Sequence, residues 1–218
     1  MTGLQAVSFS HRCDKLVLRE FVAADAGDIQ ALHADPRVRA LLPDEQPLHE
    51  ARWAEEFAAC LGGFYRRQPG LGIWRCAVLA SDGAERFAGW FSLMPVQASP
   101  GTTALGLQVG DAELGSRLTP EHWGSGLALS GGEVLLRHAF EGLRLATVWG
   151  ICHPDNRAAR GCLAALGFTL RGSALYEGQL SQHHALDAAT WSHVHTLSRR
   201  DRLRRQRRAT PHSTPARP

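Results

Sequence analysis

One stretch, from Glu113 to Phe168, restricts the fold more than any other part of the chain. It reads strand, glycine turn, helix, strand, helix, strand. A short apolar strand (Glu113 to Leu118) runs into Pro120-Glu121-His122-Trp123-Gly124-Ser125-Gly126-Leu127-Ala128, and a helical pattern follows at once, from about Ser125 to Leu143. That order sets bare backbone N–H groups at a helix start, a ready seat for phosphate. Inside the helix, Gly131-Gly132 costs about 1 kcal/mol per residue relative to alanine, which implies close packing against a neighbour. Ala146 to Cys152 is a near-continuous apolar strand, consistent with an interior position. His153-Pro154-Asp155-Asn156 turns the chain, Asn156 or Asp155 can cap the next helix, and Gly167 supplies a left-handed stop after Leu166.

The flanking chain completes an α/β (α+β) pattern. Leu16 to Phe21 reads as a first strand, and Asp25 caps a helix with Asp28 in a capping-box position. Leu48 to Arg67 is strongly helical, with Trp53, Phe57, Leu61 and Phe64 forming one apolar stripe. Ile73 to Ala80 and Ala88 to Met94 are strands joined through Ser81-Asp82-Gly83, a hairpin signal. Ala104 to Val109 is expected to be a further strand, or the first half of a long one that continues through Glu113. Phe168 to Arg171 starts another strand, and Leu175 to Leu180 with Ala185 to His195 are expected to close the sheet as a hairpin.

At 218 residues the chain has room for one well-filled domain, expected over residues 1–195. The net charge of +3 misleads. Residues 196–218 hold eight Arg against one Asp, so the remaining body carries about −4. The tail lacks the apolar residues needed to fold alone and is expected to be disordered. Its Arg199–Arg208 run is a candidate contact for RNA or the ribosome, since dense arginine binds phosphates; a plain solvated extension is the alternative. Five cysteines without a C-x-x-C pair argue against a disulfide framework or a zinc ribbon. His183-His184 and His193-x-His195 lack a partner at ligand spacing, so no metal is expected. No apolar run reaches membrane-spanning length and Met1 to Arg12 lacks a signal-peptide core; the expected location is the cytoplasm, as a monomer or homodimer.

A glycine pair alone reads as a tight turn. A dinucleotide fingerprint needs a third glycine at 129, where Leu129 stands, and a P-loop needs Gly-Lys-Ser or Gly-Lys-Thr. The wider order is more telling. Glu-Leu-Gly-x-x-Leu-x-Pro-x-x-Trp-Gly-x-Gly-x-Ala is followed by His-Pro-Asp-Asn-Arg-Ala and then Leu-Gly-Phe. With the opening Leu-x-Leu-Arg strand and a closing Asp187-to-Trp191 strand, this resembles the GNAT acyl-CoA-dependent N-acetyltransferases over roughly Leu16 to Val194. It looks most like the Rim-type branch, the ribosomal-protein-alanine N-acetyltransferases.

The resemblance implies a strongly twisted mixed sheet of about seven strands, flanked by about four helices, with a splayed pair of parallel strands that binds acyl-CoA. Here those strands would be Glu113–Thr119 and Ala146–Cys152. It implies acetyl-CoA as cosubstrate, with the pyrophosphate on the N–H groups of Trp123, Gly124, Ser125, Gly126, Leu127 and Ala128. Leu118, Thr119 and Asn156 would serve the pantetheine arm, Asn156 as a catalytic-site residue, and capping is the other reading of Asn156. Glu113 would be the base that deprotonates an amine, or else an ordinary strand carboxylate. His122 could also reach the mouth of the site. The acceptor implied is a protein N-terminal α-amine; a small amine such as an amino acid, polyamine or aminoglycoside is the alternative, and a CoA-binding protein without turnover a further one. Two positions depart from the pattern. Glu121 stands where Arg or Gln usually opens the phosphate turn. Ala159 stands where Ser commonly helps the departing thiolate, a role that Cys152, His153, Tyr176 or solvent could take.

Overall fold

Ile73 and Trp74 are chain neighbours that serve opposite faces of one sheet, as the two-residue period of a strand requires. Ile73 belongs to a cluster with Phe21, Ile29, Leu61 and Trp90. Trp74 belongs to a larger cluster with Phe91, Leu114, Leu135, Leu166 and Phe168. The computed structural model describes residues 9–13, 16–42, 47–202 and 204. Its strands are β1 (His11–Arg12), β2 (Val17–Glu20), β3 (Gly72–Leu79), β4 (Glu85–Pro95), β5 (Ala112–Leu118), β6 (Thr147–Cys152), β7 (Thr169–Tyr176) and β8 (Gln179–Asp187). Its helices are α1 (Ala26–Ala34), α2 (Pro36–Arg39), α3 (Ala51–Arg67), α4 (Pro100–Ala104), α5 (Leu127–Arg137), α6 (Arg157–Leu166) and α7 (Ala188–Val194). The strands form one sheet in the order β1-β2-β3-β4-β5-β6-β8-β7. Only β5 and β6 run parallel; every other neighbouring pair is antiparallel.

The close packing expected of Gly131-Gly132 has its partners. A Cβ on Gly131 would lie 2.2 Å from Cζ of Phe91 on β4, and one on Gly132 would lie 2.8 Å from Leu166 on α6. The bare backbone therefore lets α5 settle directly on the sheet and against α6. The helix starts at Leu127 and ends in a wider π turn over His138–Gly142.

Several expectations change. Ala104–Val109 is not a strand: Ser99 and Pro100 start α4 in a capping box with Thr102, and left-handed Gly106 and Gly110 then bend the chain. Asp25 and Asp28 do not form a capping box. Asp25 accepts the Val22 N–H at 2.9 Å and two hydrogen bonds from Arg19, while Asp28 pairs with Arg75 at 2.8 Å. The inward stripe of α3 is Ala54, Ala58, Leu61 and Tyr65, with Trp53 turned out to 40 % exposure. Small alanines let α3 approach the sheet, and the Tyr65 hydroxyl accepts the Phe21 N–H at 3.1 Å and donates to the Ile73 carbonyl. The closing hairpin is β7–β8, turning at Glu177-Gly178 inside the expected Leu175–Leu180 strand. The expected strand over Ala185–His195, with its Asp187-to-Trp191 segment, ends at Asp187, whose carboxylate accepts the Thr190 N–H at 2.7 Å and starts α7.

No helix among the described residues is long and apolar enough to cross a membrane. Most of the Arg-rich tail, residue 203 and residues 205–218, lies outside the described residues. Its beginning is not simply solvated. Arg202 is buried, paired with Glu133 on α5 at 2.8 Å and hydrogen-bonded to the carbonyls of Leu197 and His195.

Candidate active site

The parallel pairing of β5 with β6 lasts only from Ala112↔Val148 to Glu113↔Trp149. Past that point Leu114–Leu118 and Gly150–Cys152 diverge, and a gap opens in the middle of the sheet. Which backbone groups face it follows from the other edge of β5. The Thr119 N–H bonds to the Ala88 carbonyl at 3.0 Å, so Gly89↔Leu118 is a non-hydrogen-bonded pair. By the same alternation the N–H groups of Leu114, Ser116 and Leu118 turn away from β4, toward the gap. A cavity of about 280 Å³ occupies this region. Ala128 and Gly132 of α5 and Asn156 and Ala159 of α6 line it on one side of the sheet, and Glu113 and Tyr176 line it on the other. The cavity thus joins the two faces through the gap.

At the end of β5 the chain makes a short 3-10 turn, Pro120–His122, and reaches α5 through Gly124 and Gly126. Both glycines are left-handed, with φ of 73° and 87°, and a Cβ on either would meet no other atom within 4 Å. The amides of Gly124, Ser125, Gly126 and Ala128 take no acceptor among the described residues. The Trp123 amide is committed to the Pro120 carbonyl at 3.1 Å, and the Leu127 amide to Ser125 Oγ at 3.3 Å. The Trp123 indole N–H donates to the Leu118 carbonyl at 2.8 Å, folding the half-exposed ring back over the strand end. His122 is held by the Thr119 hydroxyl at 2.8 Å and does not line the cavity. The Glu121 carboxylate is folded onto its own turn, where the turn's N–H and the Thr119 hydroxyl hold its pKa below the ordinary value.

Glu113 sits in the cavity wall and accepts a hydrogen bond from the Tyr176 hydroxyl, 2.6 Å from Oε2. Loss of water pushes its carboxyl up to about 7; Tyr176 offsets part of that, and the charge of Glu177 adds to it. A carboxylate titrating there is matched to proton transfer at neutral pH. The sequence offers Tyr176 only as a thiolate donor. Sixty-three residues separate it from Glu113, and only the β7–β8 register brings them together.

Asn156 caps α6 by accepting the Ala159 N–H at 3.0 Å, and it also lines the cavity. Capping uses its oxygen, and the side-chain NH₂ has no partner among the described residues. His153 accepts the Asp155 N–H at Nδ1, which leaves Nε2 to carry the proton of the neutral ring. Burial pushes the Cys152 and Cys162 thiols up to about 11, so both are protonated and inert at neutral pH. His183 and His184 are adjacent on β8 and so point to opposite faces. Among the described residues no group of three His, Cys, Asp or Glu comes together to hold a metal.

Known proteins bear on this geometry. Residues 15–169 match the family model described as an acetyltransferase (GNAT) domain. Over 138 residues the chain is 32% identical to the FsC-acetyl coenzyme A-N(2)-transacetylase of Aspergillus fumigatus, a match covering 63% of this chain and 55% of that protein. The chain therefore spans about half the length of the curated relative it matches. Among solved structures, the ribosomal-protein-S5-alanine acetyltransferase of Vibrio fischeri superposes with a TM-score of 0.67 at 17% identity, over 84% of this chain and 98% of that one. RimJ of Mycobacterium smegmatis, solved in complex with CoA-disulfide, superposes with a TM-score of 0.66 at 18% identity, over 87% and 88%. These likenesses establish the same fold, with eight strands rather than the seven expected. With the family model covering well over half of its length, the chain belongs to the GNAT family of acetyl-CoA-dependent N-acetyltransferases.

Proposed function

We infer that the chain moves an acetyl group from acetyl-CoA to a primary α-amine, with the N-terminus of a protein as the leading acceptor. The observation that carries this reading is the cavity that passes through the β5–β6 gap and has Glu113 in its wall. On the α5 side, the amides of Gly124, Ser125, Gly126 and Ala128 form the seat for the pyrophosphate at the positive end of the helix. The amides of Trp123 and Leu127, with internal acceptors, contribute less than the sequence alone implied. The gap-facing N–H groups of β5, Leu118 among them, hold the pantetheine arm like a missing strand. Thr119 adds little, since its amide is bonded to Ala88 and its hydroxyl is engaged by His122 and Glu121. Asn156 offers its NH₂ to the same arm.

Glu113 takes a proton from the acceptor ammonium. The freed amine attacks the thioester carbon, a C–N bond forms, and a gap-facing N–H stabilises the oxygen as it gains charge. Collapse breaks the C–S bond, the nitrogen gives up its second proton to solvent, and the thiolate takes a proton from solvent, since Ala159 offers no hydroxyl. The value of about 7 at Glu113 favours an α-amine. A protein α-amine titrates near about 7.7–8.0, whereas an alkyl ammonium near about 10.4 holds its proton too tightly for such a base. The curated relative is named an N(2)-transacetylase of FsC and acetyl coenzyme A rather than of a protein N-terminus, which makes an amine other than a protein N-terminus the second reading. The test is thiol release from acetyl-CoA against peptides with free and blocked N-termini and against amino acids, polyamines and aminoglycosides. Turnover confined to free α-amines is expected, and turnover with alkyl amines alone refutes the reading. The Arg-rich tail as a ribosome contact through Arg199–Arg208 is a separate proposal: deleting residues 205–218, with Arg205, Arg207 and Arg208, would weaken RNA affinity and leave turnover on a free peptide intact.

A further inference from the structure

Glu113 does not stand alone in the cavity wall. The turn of the β7–β8 hairpin brings Tyr176 and Glu177 to the same cavity, and Gln179 and Ser181 follow them along β8. The Tyr176 ring is held edge-on to buried His183, with centroids 6.1 Å apart, so its hydroxyl is aimed rather than loose. Glu177 occupies the turn with φ of 48°, and Gly178 follows with φ of 77°. A turn of this kind favours Asn, Asp or Gly at its first position, yet here it carries a longer carboxylate that reaches the cavity.

Resting on the acetyl-transfer reading above, we propose that the hairpin tip belongs to the proton-transfer machinery: Tyr176 is a positioning residue that fixes Glu113 through Oε2, and Glu177 is the second negative charge that keeps Glu113 a usable base. The hydrogen bond at Oε2 leaves Oε1 as the oxygen that meets the acceptor. Tyr176 stabilises the ionised carboxylate by donating to it. Glu177 does the reverse, because two like charges in one cavity resist joint ionisation. A base held by Tyr176 alone would titrate lower and pull less strongly on an ammonium, and one beside Glu177 alone would be largely protonated at neutral pH.

The other charged and titratable groups around Glu113 are few. On its own face of β5, Arg117 lies four residues along, hydrogen-bonded to His33 of α1 at 2.7 Å. Asp111, before the strand, accepts from the Trp149 indole at 2.8 Å. At the end of β6, His153 lines the cavity. Opposite Glu113, β4 presents Met94 and β6 presents Trp149, neither of them titratable.

The experiment follows the Glu113 carboxyl directly, by carbon-13 NMR of the full chain labelled at glutamate carboxyls and assigned with Glu113→Gln. Tyr176→Phe keeps the ring against His183 and removes only the donor, and the titration of Glu113 moves up by about half to one pH unit. Glu177→Gln moves it down by a similar amount. In thiol release from acetyl-CoA with an alanine-initiated peptide, the acid limb of kcat/KM moves the same way in each variant. Thermal melts confirm that both variants fold. Opposite shifts support the inference. A titration that neither substitution moves, or that both move in one direction, overturns it. A wild-type chain that shows the expected titration but releases no thiol with any acceptor overturns the acetyl-transfer reading instead.

Discussion

Glu113→Gln tests the price of placing a carboxylate in this cavity, and it does so without any knowledge of the acceptor. The carboxyl titrates at about 7 in the fold and at about its ordinary 4.5 in the unfolded chain. Below the lower value it is protonated in both states and costs nothing electrostatically. As pH rises through the folded value, the wild type must hold an ionised group short of water, and the associated stability is lost. The full shift corresponds to a ceiling of about 3 kcal/mol, and water entering the cavity reduces this to about 1–3 kcal/mol. Glutamine keeps the shape, still accepts the Tyr176 hydrogen bond and carries no charge. The variant should therefore match the wild type in urea unfolding at pH 4. Its advantage should grow between pH 4.5 and 7 and level off above that, while thiol release collapses. Each kcal/mol is about 2–4 °C of Tm in a chain of this size. An advantage of the same size at pH 4 and pH 8, or none at either, would refute the charge-burial argument.

Further outcomes follow from other positions. Gly126→Val places a β-branched residue at φ of 87°, which strains the turn by about 1–2 kcal/mol and keeps the backbone from the pyrophosphate; calorimetry should show CoA affinity falling at least about tenfold, and unchanged affinity would remove the phosphate seat from that turn. Gly131→Ala drives a methyl into the Phe91 ring and should cost about 1–3 kcal/mol in urea unfolding, with Phe91→Leu partly restoring the loss in the double variant. Arg202→Ala strips Glu133 and three carbonyls of a charged donor, costing about 2 kcal/mol; a variant as stable as wild type would mean the contact contributes nothing.

The central unit was legible because its signals are local. The strand into Leu118, the glycine pair, the Asn156 cap and the Gly167 stop each announce themselves within a few residues, and each lies where the pattern puts it. Errors came where long-range packing decides. Trp53 reads as a core residue because it recurs at helical spacing with Phe57, Leu61 and Phe64, but α3 buries the neighbouring stripe of Ala54, Ala58, Leu61 and Tyr65, and no local pattern reveals which of the two faces the sheet. Ala104–Val109 looked like a strand because the left-handed glycines on either side of Val109 cannot be told from strand glycines by sequence. Leu175–Leu180 looked like one strand because its turn uses Glu177 in a backbone state usually left to Asn or Gly. For the candidate site, the left-handed glycine turn at Gly124 and Gly126 is readable, but the partner of Glu113 is not. Which tyrosine meets which glutamate is set by strand order and register, and those depend on the whole sheet.

The brief pairing of β5 with β6 has a mechanical consequence. The sheet is two blocks, β1 to β5 and β6 to β8, stitched by registered contact at Ala112–Val148 and Glu113–Trp149 and clasped by α5 and α6. An ordinary central strand would spend its outward amides on a neighbour, whereas Leu114, Ser116 and Leu118 keep theirs in reserve. Between β2 and β7 every other junction of the sheet has at least four registered pairs, against two at this seam. Anything that lies along it and takes those amides acts as mortar, so occupancy and rigidity rise together, and amide exchange along this strand should slow more on filling than anywhere else in the sheet.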